Sequence, residues 1–415
     1  MNPSEIKLYK VKVPLVRSEL TDIEGETARQ LERLRGRISP GMSIAVAVGS
    51  RGISNIARIT RAAVAQLKAF GAEPFVVPSM GSHGGATADG QRETLASYGV
   101  TEDAVGAPVR SSMSVVSLGT IEHPKHLPVY MDANAAGADG VLVINRVKPH
   151  TDFHGAHESG IVKMLVIGLG KHAQALAVHQ YGVYGLRELI QPAAERVIQS
   201  GKILGALAIV EDGFDHTSEI TFAAAHEIVK VDGEMLAKAR SNMARLPLDE
   251  LDLLLVDEMG KNVSGTGMDT NVIGRLRIEG ETDTGTHCRN IAVFSLTPES
   301  HGNSLGIGLA DFVPRRLAGQ VDWRATQENV ITSGFLQRGF LPIVGDNDYE
   351  TIGFALRRCS GQPDGLRVAR IKNTLHLSAI YVSHALLDAA KWEEVSGTAE
   401  TLQFDDVGQM REISY

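Results

Sequence analysis

Five of the chain's fourteen histidines, His150, His154, His157, His172 and His179, fall between Asn145 and His179, with Lys163 among them. Imidazoles move protons near neutral pH and ligate metals, and a lysine amine adds a nucleophile. So dense a set points to acid–base chemistry, metal ligation or a covalent tether within one window. His150, His154 and His157 recur at i, i+4 and i+7, a spacing that would place them on one helical face and suit zinc. Against zinc, Thr151 stands where a His-Glu-x-x-His motif needs its acid, and Gly155 weakens a helix through the set.

Groups this reactive must be held by rigid elements. Apolar runs at Ser43–Val48, Pro74–Val77, Gly140–Asn145 and Ile203–Val210 read as buried strands, and Ile53–Phe70, Ala88–Tyr98 and Ala173–Gln199 read as helices between them. A second strand series follows the helical Ala225–Leu246 segment, at Leu251–Val256, Ile291–Leu296, Leu341–Val344, Leu366–Ile371 and Leu377–Val382. The alternation predicts an α/β protein of two domains, 1–246 and 247–415, each a mostly parallel sheet flanked by helices. The Pro247–Asp252 turn marks the border, and a cleft between the domains is the expected active site.

Composition narrows the partners. A net charge of −8 over 415 residues offers no broad positive field for a nucleic acid. Cys288 and Cys359 are the only cysteines, no apolar run reaches membrane-spanning length, and the first residues lack the layout of a secretion signal. The expectation is a cytoplasmic protein acting on a small molecule, with no nucleic acid and no membrane.

Ligands of open α/β sheets gather beyond the carboxyl ends of strands, so polar turns after apolar runs are the places to look. Gly49-Ser50-Arg51-Gly52 could cradle an anion through backbone amides and Arg51, or be a plain turn. Ser79–Thr87 surrounds His83 with glycines that permit close backbone approach. Lys148-Pro149-His150 opens the histidine window. Gly168-Leu169-Gly170-Lys171-His172-Ala173 fits a dinucleotide fingerprint, with Glu188 near the place of a ribose-binding acid. The same glycines also break any continuous helix between Lys163 and His179, allowing the two residues to converge from different elements.

With that spacing, the chain resembles the lactate racemase family over most of its length. The separation of Lys163 and His179, sixteen positions (179 − 163), matches the family's spacing between the lysine joined to its cofactor and the histidine that completes the coordination of nickel. Arg51 and His83 fall in the family's order for the cofactor-cradling turn and the first catalytic histidine. His150, in a Pro-His segment, is similar to the second.

The resemblance implies an isomerase using a nickel-pincer nucleotide, a pyridinium mononucleotide whose thio-carboxyl arms grip the metal. Its cofactor-binding residues would be Gly49, Ser50, Arg51, Lys163 and His179, with His179 on the metal. His83 and His150 would be the catalytic acid–base pair in hydride abstraction and return on a 2-hydroxy acid. Arg51 would meet either the nucleotide phosphate or the substrate carboxylate. From the second domain, Lys261, Asn271 and Arg275 of the Gly260–Arg275 loop would reach the substrate, or that loop is ordinary surface. Cofactor-synthesis proteins would load the enzyme.

Two departures bear on the substrate and on the second base. Glu158-Ser159-Gly160-Ile161-Val162-Lys163 replaces the family's Ser-Gly-Gly-x-Lys phrase, with extra residues after His150, so His154 or His157 is an alternative to His150. Glycine follows His83 where lactate enzymes carry arginine, which implies a 2-hydroxy acid other than lactate. The competing functions are an NAD-dependent dehydrogenase using the Gly168–Ala173 turn and a non-catalytic ligand-binding homologue.

Overall fold

The computed structural model describes residues 2–49, 52–360 and 363–415, so Ser50 and Arg51 lie outside the described residues. The chain forms two compact units, Val16–Met243 and the pair Met1–Leu15 with Ala244–Tyr415.

The Val16–Met243 unit is built on a five-stranded sheet. Strand Ser43–Val48 pairs in parallel with Glu73–Pro78 on one side and with Gly140–Arg146 on the other. Ile203–Glu211 adds in parallel and Thr217–Ala224 closes the edge antiparallel. Alternate side chains serve two cores, as the pleat requires. Ala45, Ala47, Val77, Val143 and Ala208 face the helical segments that carry Val162, Leu165, Val178 and Leu236. Ile44, Val46, Val48, Ile144 and Leu207 face Ile23–Leu31 and Ile56–Ala69. With both faces covered, the strands read as unbroken apolar runs. Val48 lies opposite both Pro78 and Ile144. The turns holding Gly49, His83 and His150 therefore leave the carboxyl edge of three adjacent strands.

The other unit carries an eight-stranded sheet. Ile343–Gly345, Phe312–Pro314, Ile291–Leu296, Leu253–Met259 and Val368–Ile371 run parallel. Ala379–Ser383, Lys7–Lys12 and Glu394–Thr401 continue the sheet antiparallel. Both sheets thus match the expected α/β class. The first fifteen residues, which the linear reading groups with the N-terminal half, belong here because Lys7–Lys12 fills the gap between two late strands.

The expected helix over Ala173–Gln199 is broken. Lys171–His179 is followed by short helical turns, a π-helical turn at Gly185–Leu189 and the helix Ile190–Gln199. Upstream, Ile161–Lys163 runs into a π-helical turn, Met164–Gly168, and the chain then bends by 106° into Lys171–His179. Gly170 is needed at the bend, where a Cβ would lie 2.3 Å from the Gln174 Cβ and 2.5 Å from the Val166 carbonyl oxygen.

Lys171 fixes the bend in place. It stands at φ +56°, and its fully buried ammonium pairs with Asp132 at 3.0 Å. It also donates to the Pro78 carbonyl and to Gln91 Oε1. Gln91 passes the link on by donating to the carbonyls of Gly81 and His83 at 2.8 and 3.3 Å. One amine thereby holds the end of strand Glu73–Pro78, the His83 turn, and strand Leu127–Asp132. Removing one member of a buried pair strands its partner's charge. Lys171→Met is expected to destabilise this unit by about 3–5 kcal/mol, measured by urea unfolding against wild type.

Candidate active site

The His150 loop is organised by one carboxylate. Glu158, with no side-chain exposure, accepts from the backbone amides of His150 and Gly155 at 2.5 and 3.2 Å. His154 Nδ1 lies 3.3 Å away and Arg240 Nη2 2.5 Å away. Burial alone would raise this carboxyl, but the His154, His150 and Arg240 hydrogen bonds outweigh it and hold Glu158 below the ordinary range.

A second buried carboxylate sets the segment that carries Lys163. Asp232 Oδ1 accepts from the amides of Ile161 and Val162 at 2.5 and 3.3 Å, capping a helix start that has no cap of its own. Its Oδ2 holds His157 Nδ1 at 2.9 Å. A Cβ on Gly160 would fall 2.1 Å from Asp232 Oδ1, so glycine is required there. Asn145, at the end of its strand, donates to the Gly160 carbonyl at 3.1 Å, and its Oδ1 occupies the space a Cβ on Gly49 would need. Gly49 is thus fixed by close packing against the Asn145 side chain, which also holds the segment leading to Lys163.

These supports bring His150 and Lys163 together. Lys163 Nζ lies 2.5 Å from His150 Nε2, while the other ring nitrogen, Nδ1, accepts the Asp152 amide at 3.0 Å. The ring packs on Phe153 with centroids 4.7 Å apart. Burial and the Lys163 charge push His150 down to about 3, with Asp152 and Glu158 opposing, so the ring is neutral across the physiological range. His179, in the last turn of Lys171–His179, is solvent-exposed. Desolvation by the surrounding protein and the Lys163 charge both lower it. Lys163 therefore acts electrostatically on both histidines, although sixteen residues and a sharp bend separate it from one of them.

His83 follows strand Glu73–Pro78 in a turn that uses left-handed Gly81, Gly84 and Gly85. Gly84 admits no side chain, since a Cβ would lie 2.5 Å from the backbone of Gly90. The turn meets the Lys163 segment where the Gly81 amide donates to the Gly168 carbonyl at 3.4 Å.

The contacts also place the remaining sequence candidates. His154 and His157 are tied to Glu158 and Asp232, and among the described residues no group of three or more His, Cys, Asp or Glu side chains is arranged to hold a metal ion. The Gly168–Ala173 turn joins a π-helical turn to a helix, whereas the dinucleotide fingerprint needs a strand before its glycines. A Cβ on Gly168 would meet Met164 and the Ser79 carbonyl, so these glycines serve packing. Lys261, Asn271 and Arg275 lie in the other unit. Arg275 is 9% exposed and donates to Asp311 and to the carbonyls of Leu309 and Cys288, which gives it a structural task. Lys261 donates to the Gly265 carbonyl and Asn329, and Asn271 to Asp269.

Asp232 and Arg240 escape a reading by motif. The available signal was an acid at a core-facing position, since Asp232 shares the buried face of Ile228–Asn242 with Ile228, Met235, Leu236 and Ala239. An acid on such a face is stable only with partners.

No family model matches the chain, and no curated protein matches it. Solved structures are similar in fold. The lactate racemase apoprotein from Thermoanaerobacterium thermosaccharolyticum gives a TM-score of 0.52 at 13% identity, over 88% of this chain and 98% of that one. A protein from Thermotoga maritima gives 0.49 at 13% identity, over 78% of this chain and 84% of that one. At such identity the first likeness establishes a shared fold, and the second is too low to add to it.

The Glu158 network has a pH signature. A carboxyl lowered by folding stabilises the protein above its unfolded value, and that contribution is lost as pH falls through the folded value. Stability is expected to decline as pH drops below the ordinary carboxylate value of 4.5. Glu158→Gln should weaken this acid dependence and cost about 1.5–3 kcal/mol at neutral pH, as read from urea unfolding at a series of pH values.

Proposed function

We propose that the protein is a racemase or epimerase of a 2-hydroxy acid that works with a nickel-pincer nucleotide joined to Lys163. The observation that carries this reading is the meeting of the Lys163 amine with the buried His150 ring, Nζ to Nε2 at 2.5 Å. The fold shared with a lactate racemase apoprotein supports it. The donor set suits the group. Lys163 offers an amine for a covalent tether, and an exposed imidazole kept deprotonated at His179 offers a lone pair to a borderline metal such as nickel. When bound, the nucleotide supplies a metal-borne site that accepts and returns hydride.

The chain's own residues do the rest. His150, neutral and fixed by Asp152, Glu158 and Phe153, exchanges the substrate hydroxyl proton at Nε2. His83 serves the opposite face in the same role. Inversion needs both, because the flattened carbon must be approached from either side. His154 and His157 position the loop, since each ring is held by a buried carboxylate. Backbone amides of the Gly49 turn, with Ser50 and Arg51, take the nucleotide phosphate or the substrate carboxylate.

The test is co-expression with cofactor-making enzymes, followed by metal analysis, peptide mass analysis and a chiral assay across 2-hydroxy acids. Stoichiometric nickel, a mass increase on the Lys163 peptide and inversion of one acid are expected. His83→Ala and His150→Ala should each lower turnover by about 10²–10⁴-fold, and Lys163→Ala should abolish the mass increase. A non-catalytic homologue would bind a hydroxy acid without inverting it. Full inversion activity in Lys163→Ala would overturn the tether.

A further inference from the structure

Ile331, Leu336, Phe340, Leu341 and Ile343 are each more than half exposed, and among the described residues only Leu176 and Val407 match them as large apolar side chains. The five lie on the last turns of helix Trp323–Ser333, in and just after the turn Leu336–Gly339, and at the start of strand Ile343–Gly345. From 331 to 345 the sequence holds a single charge, Arg338. That side chain is buried and donates inward to the Leu276 carbonyl at 3.0 Å. The surface is therefore apolar and uncharged, on a chain whose net charge of −8 otherwise keeps copies apart.

The strand in this patch is the outermost of the eight-stranded sheet and pairs on one side, in parallel, with Phe312–Pro314. Ile343 turns its amide to that side, donating to the Asp311 carbonyl at 3.0 Å. Backbone groups alternate in direction along a strand, so Val344 aims its N–H and C=O at the open edge. A bare edge of this kind is a template for another strand.

We propose that a second copy of this chain docks here edge to edge, with Val344 and the partner's Val344 exchanging both backbone hydrogen bonds across a twofold axis. Antiparallel pairing puts directly opposite residues in such reciprocal pairs, and a twofold axis makes one strand its own complement. The apolar side chains around each strand are then covered by those of the other copy. Each of the five offers roughly 100 Å², which amounts to about 500 Å² per copy and about 1,000 Å² across the pair, the size at which specific interfaces begin. A bilayer would cover the side chains but leave the edge amides without hydrogen bonds, and a charged partner would meet no opposite charge. A second copy satisfies the side chains and the backbone together. The association is independent of the reaction proposed above.

The full chain is followed by sedimentation velocity from about 0.1 to about 100 μM, where an interface of this size should dissociate with a midpoint on the order of micromolar. A species of twice the chain's mass is expected at the upper concentrations. Phe340→Glu brings two like charges into the buried patch, and Val344→Pro removes the outward N–H while leaving the Ile343 bond to its neighbour strand, a change that edge strands tolerate. Each should raise the midpoint by at least about tenfold. Val116→Glu, at an exposed position of the Val16–Met243 unit, should leave it unchanged. Urea unfolding of each variant, run dilute enough to keep the chains apart, confirms the fold, and should one variant fail to fold the other decides. A wild-type chain that stays monomeric over the whole range overturns the proposal, whether or not the same residues bind phosphatidylcholine vesicles. So does a dimer that either folded variant leaves unmoved, or one that Val116→Glu disrupts equally.

Discussion

The ion pair of Lys171 and Asp132 is the constraint from which the site geometry follows. Both side chains are fully buried, so neither can be neutralised by water and each depends on the other. Asp132 also accepts the Ala135 amide at 2.9 Å, which fixes its carboxylate at a helix start. The amine in turn reaches Pro78 and Gln91. Three elements distant in sequence meet at one charge, and the helix ending in His179 starts from that point. Gln174 seats the same helix a turn later, accepting from the Tyr130 amide and donating to the Pro128 carbonyl. The helix therefore stands on a strand edge as a side chain would, with its last turn turned outward.

The remaining geometry is set by one face of Ile228–Asn242. Asp232 and Arg240 lie eight residues apart on that helix, a little over two turns. Asp232 holds the start of the Lys163 segment and His157. Arg240 holds Glu158 and the Gly155 carbonyl. A single rigid helix thus aligns the amine-bearing turn with the histidine-bearing loop. The π-helical turn after Lys163 fits this picture, because such insertions re-aim side chains and gather where function is housed.

Much of the scaffold was readable from local pattern. Ser43–Val48, Gly140–Arg146 and Ile291–Leu296 are strands buried on both faces, and such strands announce themselves as continuous apolar runs. Thr217–Ala224 and Val115–Ile121 did not, because one is an antiparallel edge and the other is half exposed, and both mix polar residues into the run. The helix over Ala173–Gln199 misled because apolar periodicity persists across the π-helical turn that interrupts it. At the site, the Lys163 to His179 relation was legible as spacing plus a glycine break. The carboxylates that set the His150 loop and the Lys163 segment were not, since Glu158 could be taken as a solvated acid and Asp232 comes from a helix more than sixty residues on. Long-range pairing of charge has no local signature, and the fingerprint at Gly168–Ala173 shows the converse, a local signature produced by tight packing of a corner.

The strand Lys7–Lys12 carries one more implication. It is made long before its neighbours Ala379–Ser383 and Glu394–Thr401. Until they emerge, its unpaired edges have no native partner, and a bare strand edge invites wrong pairing. The Val16–Met243 unit has no such debt to later sequence, since all strands of its sheet lie within it. During synthesis it can close as an insert while the flanking strand waits, which makes assembly of the eight-stranded sheet the slow, high-contact-order step of biogenesis.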